Sequence, residues 1–415
     1  MFETDVTVVG GGIAGMASAL ALSRAGMPLG ITLLEQSHEL NEVGAGIQLG
    51  PNAMRVLHDW GLQEALEEVC AFPPSLFARD MTAGTVLGRL ELGERATQRY
   101  GAPYATIHRA DLHRLLHQAA RASGKVQFHL SHQVEQVRST PDGVHMTTQN
   151  GLQWQAHAAL ACDGVWSRLR AQVLPQDKPA KFTGHVAYRG LVRMSALPQH
   201  LRQIHVQVWL GHRTHAVLYP VKSGEWLNVV IVVQRHGQHV QAGWDHMADA
   251  QAVAQAMGGK LHRELNDILR AVGQWRMWPL YGRKPVWGHT EMVRDRVAFM
   301  GDAAHPMKPY LAQGAAMALE DAWALGGMVQ AAQTADSALP WPQLLRAWGQ
   351  QRWSRAAWVQ RRSSRNGFIF HLRPPFKWVR NAGMRVLGAG AMDVPKLYQG
   401  PPAIKPLVLG RHVGK

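Results

Sequence analysis

A chain of 415 residues with 46% hydrophobic content can bury a substantial core, and its length suggests two domains. The opening MFETDVTVV carries no basic segment followed by an apolar one, and no apolar run approaches a membrane span, so nothing signals secretion or membrane spanning and a cytoplasmic protein is expected. Two cysteines, Cys70 and Cys162, give neither a disulfide framework nor paired metal-ligand spacing, and the 22 histidines form no HExxH, so no metal site is expected; the net charge of +15 is concentrated from Arg361 onward, where eleven Lys/Arg face one acid, Asp393.

In chain order, DVTVV reads as a buried strand and AGMASALALSRAG as a helix ending near Gly26. Gly10, Gly12 and Gly15 fall on the strand-to-helix turn. There the first glycine permits a tight turn, the second admits a pyrophosphate against the backbone, and the third lets helix and strand pack closely. The next strand, GITLLE, ends in Glu35, where a carboxylate can bind both ribose hydroxyls of a dinucleotide and would repel a 2′-phosphate. FARDMTAGTVLGRLELG reads as a hairpin with its turn near Gly84. HAALACDGVWSRLR is an apolar strand running into Asp163-Gly164. From about Lys181 to Gly282 strand-like runs dominate, HVAYRGLV, IHVQVWL, HAVLYPV and WLNVVIVVQ, with a turn at Ser223-Gly224-Glu225, followed by helical ADAQAVAQAM and a further helix before Trp275. RVAFMGDAAHPMKPYLAQGAAMALEDAWAL is a strand running into Gly301-Asp302, a proline-bearing turn and an alanine-rich helix from near Gln313. Such a helix presents free N–H groups at its start, suited to the edge of a reduced flavin where negative charge accumulates.

In this order the segments resemble the single-component flavin-dependent aromatic hydroxylases of the para-hydroxybenzoate hydroxylase fold, over nearly the whole chain. The resemblance implies an α/β protein: a Rossmann-like, discontinuous FAD-binding domain (1–72, 99–180 and 283–340), an inserted and mainly β substrate domain (73–98 and 181–282), and a C-terminal helical and basic region (341–415). It implies that Gly10, Gly12, Ile13, Ala14 and Gly15 hold the FAD pyrophosphate and that Glu35, with Gln36 beside it, holds the adenosine end. IHRADLHRLL implies that Arg109 contacts FAD. Asp163 lies near FAD and NAD(P)H, Asp302 on the ribityl chain, and Pro309, Gly314 and Ala315 along the cofactor. GAGIQLGPNA, HPMKPY and AQGA are most similar to the salicylate, 3-hydroxybenzoate 6-hydroxylase and 6-hydroxynicotinate 3-monooxygenase branches; the usual GQG is here Ala312-Gln313-Gly314.

The activity so implied is hydroxylation of a small aromatic acid with FAD, NAD(P)H and O2 through a flavin C4a-hydroperoxide. A base that deprotonates a phenolic substrate raises its ring electron density. His215 is the candidate, with His212 as the alternative, and Gln313 is the candidate for orienting substrate unless its backbone alone matters. Tyr219 and Tyr310 are wall residues or hydrogen-bond donors, and His305 fixes the turn at Pro306. No second dinucleotide motif occurs, since LGAGAMD has Asp393 where a third glycine should stand, so NAD(P)H visits transiently. Trp341, Trp348, Trp353 and Trp358 lie on a helix read as packed on the FAD domain with solvated arginines, a subunit contact in a homodimer being the next use. No nucleic-acid partner is expected. A hydroxylase of a larger quinone precursor or polyketide, or a non-catalytic flavoprotein, are the alternatives.

Overall fold

The computed structural model describes residues 1–26, 29–40, 45–235, 246–332 and 339–405. Its first eight-stranded sheet is parallel at the centre: Phe2–Val9 lies between Ile31–Leu34 and Gln153–Ala161, with Val126–His129 and Val297–Phe299 parallel outside them. These strands are covered on both faces, which is why they read as unbroken apolar runs rather than as alternation. The helix Ile13–Ser23 packs against Gly314–Ala331, where Gly326 lets the two backbones meet: a Cβ there would stand 2.8 Å from the Ala21 carbonyl oxygen.

The second eight-stranded sheet runs His246–Ala248, Trp275–Gly282, Lys181–Arg193, Trp226–Gln234, Thr214–Val221, Val206–Leu210, Ser75–Asp80 and Val86–Glu91. The hairpin turn falls at Gly84, whose φ of +72° suits glycine. Here the strands alternate. Tyr188, Leu218, Val229 and Ile231 point into a core closed by the helices Ala250–Met257 and Arg263–Ala271, whereas Ala187, His215 and Val232 point to the opposite face, where Tyr310 and the C-terminal helices lie. The α/β class expected from the sequence is the class observed.

The tryptophan-bearing segment is one helix, Trp341–Phe370, with Trp341 and Trp348 buried on the first core. Its arginines depart from the solvated reading. Arg352 is 2% exposed and binds Glu320 at 3.1 Å and Asp321 at 2.9 Å, and Arg355 binds Glu320 as well. The cause lies in the partner helix, whose only two acids turn inward and draw arginines with them. Of the basic stretch after Arg361, Arg411 and Lys415 lie outside the described residues. Removing one member of a buried ionic network leaves the other charges unpaired, at a cost of about 3–5 kcal/mol. Arg352→Met should therefore lower unfolding free energy by that amount in denaturant titration, whereas Arg361→Met, at an exposed position, should change it by about 0.5 kcal/mol or less; similar losses at both sites would refute the buried network's role.

Candidate flavin and substrate site

The glycine turn is fixed by contact rather than by flexibility. Gly10 has φ +102°, and a Cβ on it would stand 2.6 Å from the Cys162 carbonyl oxygen; one on Gly15 would stand 1.9 Å from the Gly10 carbonyl oxygen. Gly12 opens the helix with extended backbone and no side-chain cap, so the first-turn N–H groups around Ile13 and Ala14 are left for a ligand. Glu35, just beyond its strand, accepts from the Gly11 N–H at 2.6 Å and the Ser37 N–H at 2.8 Å, with Gln36 exposed beside it. His113 Nε2 lies 2.6 Å from the Gly11 carbonyl and ties the helix Arg109–Ala122 to the turn.

Across the sheet edge, Asp163 accepts from the Leu169 N–H at 3.3 Å through Oδ2, while its buried Oδ1 has no hydrogen-bond partner. Burial raises its carboxyl above the ordinary range. Asp302 is open to solvent yet ringed by protein, the combination expected of a group inside a cleft; that enclosure pushes its carboxyl up while the charges of His305 and Arg109 pull it down. Beyond Pro309 the chain passes Ala312, at a left-handed φ of +52°, into the helix Gly314–Ala331, which also starts without a side-chain cap. Open space surrounds the Cβ position of Gly314, next to Ala315. An orphaned carboxylate oxygen, two uncapped helix starts and a glycine cradle on one sheet edge are the donor and acceptor set that a dinucleotide with a long polyol needs, so the residues present fit FAD.

The second sheet faces this edge. His215 is 1% exposed, and its Nδ1 lies 2.9 Å from His371 Nε2 with the Tyr310 ring beside it. Burial first, then His371 and His185, hold its pKa well below the usual value; burial likewise holds His371 down to about 3. The alternative base, His212, stands exposed on the turn before this strand, where it lines a cavity together with His371. Gln313 is buried with Oε1 anchored to Asn52 Nδ2 at 3.0 Å, leaving its own amide nitrogen uncommitted. Tyr219 donates to the Gly46 carbonyl at 2.6 Å, so its hydroxyl is committed there, while Tyr310 Oη has no partner. His305 is bound to Asp321 at 2.6 Å and fixes its turn.

Sequence reasoning did not single out Arg189. It shares the face of His215: Val232 pairs with both His215 and Ala187, and Val230 with both Val217 and Arg189, which sets the arginine two strands over and one step along. Its guanidinium lies 4.6 Å from the Trp278 ring centroid, its Nε is buried without a partner, and burial together with Arg109 lowers its pKa. The signal was present in HVAYRG, as a polar residue alternating with buried Tyr188.

The chain matches the profile of the FAD binding domain family over residues 3–363 and belongs to that family. A 3-hydroxybenzoate 6-hydroxylase of Klebsiella oxytoca is 37% identical over 77% of this chain and 78% of that protein. A 6-hydroxynicotinate 3-monooxygenase of Bordetella bronchiseptica is 32% identical over 88% of this chain and 91% of its own. Among solved structures, a salicylate hydroxylase substrate complex superposes with a TM-score of 0.78 at 26% identity, covering 97% of this chain and 99% of that one. HpxO of Klebsiella pneumoniae, complexed with FAD and uric acid, shares the fold with a TM-score of 0.80 at 22% identity, over 94% of each chain. With this family and these relatives, the protein is an FAD-dependent aromatic monooxygenase. No described helix is long and apolar enough to cross a membrane.

Glu35→Ala should weaken FAD binding by about 1–3 kcal/mol, the scale for leaving hydrogen-bonding groups unpaired, as read by flavin release on titration; unaltered affinity would show that Glu35 serves only the Gly11 turn. The histidine pair sets a pH dependence. Both rings are neutral when folded, so the unfolded chain takes up protons first, and stability is full above about pH 6.5 and falls progressively towards about 3, where His371 titrates. Resistance to thermal unfolding should therefore weaken as pH falls from about 6.5 to 5, by up to about 1.4 kcal/mol per pH unit for each ring, and His371→Asn should flatten that slope. An identical slope in the variant would refute the neutral pair.

Proposed function

We propose that the protein uses FAD, NAD(P)H and O2 to hydroxylate a single-ring aromatic acid carrying a phenolic or hydroxypyridine hydroxyl, and that it works in the cytoplasm. The observation that carries this reading is His215: a buried, neutral imidazole on the sheet face that roofs the cofactor edge, its Nδ1 engaged by His371 and its Nε2 left free. Bound FAD supplies hydride acceptance from the nicotinamide and activation of oxygen. The chain's own residues do the rest. Gly10 to Gly15, Glu35, Asp163 and Asp302 would hold the cofactor, and the starts of the two uncapped helices would face its anionic parts. His215 Nε2 takes the substrate hydroxyl proton, which makes the ring a better nucleophile, while His371 keeps the imidazole oriented. Arg189, with Arg109 nearby, supplies positive charge for the substrate carboxylate. The sheet and Tyr219 exclude water from the reacting face. The relatives' activities on hydroxybenzoate and hydroxynicotinate support this substrate class.

The purified protein should be yellow, with one FAD per chain, and NAD(P)H oxidation should be stimulated by some member of a panel of monohydroxylated benzoates and hydroxynicotinates, with hydroxylated product recovered. His215→Asn should retain FAD and substrate binding and lose about 10²-fold or more in kcat, together with the acidic limb of the pH–rate profile, where His215 takes up a proton. Stimulation confined to polycyclic quinols, or full turnover in His215→Asn, would overturn the assignment.

A further inference from the structure

At the end of the sheet face that carries His215 lies a cavity of about 460 Å3, between the start of the His215 strand, the loop around Lys308 and the bend joining the last two long helices. That volume falls in the lower part of the ~300–1,000 Å3 range of small-molecule sites. Three cationic side chains, Arg213, Lys308 and Arg373, line it, and among the described residues none of the three has a carboxylate within ion-pair distance. Lys308 is pushed down by burial alone, which is the response of a cation enclosed without a counter-charge.

Two further groups on the cavity wall lack partners. Tyr310 is 4% exposed and His371 is 9% exposed, yet Tyr310 Oη and His371 Nδ1 make no hydrogen bond. Buried polar groups are ordinarily satisfied, so a pair of orphans beside three unneutralised cations points to an acceptor-bearing, anionic ligand. Tyr310 is held in place by Gly367, where a Cβ would stand 2.5 Å from the phenol ring. Phe368 and Phe376 complete the wall with exposed aromatic surface, which suits a flat apolar ring rather than a bare phosphate. On the far side of His371 stands His215, 2.9 Å from it.

We propose that this cavity is an outer binding site for a single-ring aromatic carboxylate, an antechamber that concentrates the acid next to His371 before it passes to the face of His215. The proposal rests on the substrate class inferred above. Its occupant is distinguished from the phosphates of a nicotinamide cofactor by the aromatic wall and by the small volume.

The test uses the FAD-loaded protein and 3-bromobenzoate. Diffraction should place bromine in the cavity, and equilibrium dialysis should give two bromobenzoates per chain, falling to one in the triple variant Arg213→Gln, Lys308→Met, Arg373→Gln. In that variant the association rate of an accepted substrate, followed by flavin absorbance, should fall about tenfold and lose most of its salt dependence while kcat is kept. Lys308→Met alone should show a smaller loss in the same direction, which preserves the test if the triple variant folds poorly. One bromobenzoate per chain in the unaltered protein, bromine seen only at crystal concentration, unchanged association rates, or displacement from the cavity by 2′,5′-ADP would overturn the proposal. Cavity occupancy by an acid that never stimulates NAD(P)H oxidation would instead refute the functional reading and leave the outer site standing.

Discussion

Both halves of the candidate site hang on one buried ionic cluster. Asp321 accepts from the Gly301 N–H at 3.2 Å, from His305 at 2.6 Å and from Arg352 at 2.9 Å, so the turn that carries Asp302 is fastened to the middle of the following helix. Its neighbour Glu320 accepts from Asn52 at 2.8 Å, and Asn52 in turn donates to Gln313 at 3.0 Å, so the start of that same helix is fastened too. Burying two carboxylates is costly unless charge and hydrogen bonds compensate fully, and Arg352 and Arg355 supply both from the long C-terminal helix. That helix is therefore part of the interior packed on the first sheet rather than a cover laid over it. Its tryptophans act in the same way: Trp348 donates to the Asp321 carbonyl at 3.0 Å while filling the core.

A second constraint is close approach of backbone. At Gly10 and Gly15 a methyl group would collide with carbonyl oxygens, so the strand, the turn and the helix can meet only where side chains are missing. The same device recurs at Gly46, where a Cβ would stand 2.6 Å from the Tyr219 ring. There it brings the short strand Gly46–Leu49 against the second sheet, with Asn228 accepting from the Gly46 N–H at 2.7 Å and Tyr219 donating to its carbonyl. The spacing between that strand and the second sheet is thus set by a glycine, a tyrosine and an asparagine.

What could be read from the sequence follows from range. The glycine turn, the Asp163-Gly164 strand end and the Gly301–Pro306 turn are local patterns whose geometry is dictated within a dozen residues, and the alternation in HAVLYPV puts His215 on one face of its strand without reference to the rest of the chain. What was not legible is contact between distant segments. His371 is 156 residues from His215, and Asn52 is 261 from Gln313. Nothing in the local pattern of either partner announces the other. Gln313 illustrates the consequence: its place at the helix start is local and was readable, but the direction of its side chain is decided by Asn52. Arg352 and Arg355 fail the sequence reading for the same reason, since an arginine on a surface-looking helix is solvated unless a buried acid elsewhere claims it.

The basic C-terminal stretch shows how net charge and available charge part company. Read as a tail, it is a block of eleven cations free to steer anything negative. In the fold several are already engaged: Lys377 meets Asp80 at 3.0 Å, Arg380 is buried and donates to the Phe370 carbonyl at 2.8 Å, and Lys396 lies 4.8 Å from the Trp358 ring centroid. A cation held against a carboxylate or a carbonyl contributes little field at a distance, whereas one left without a counter-charge at a cavity mouth contributes most of its own. Arg373, together with Arg213 and Lys308 from outside the stretch, is of the second kind. Arg213, Lys308 and Arg373 thus gather around one opening next to His371, which puts available positive charge there rather than spreading it over the total of +15.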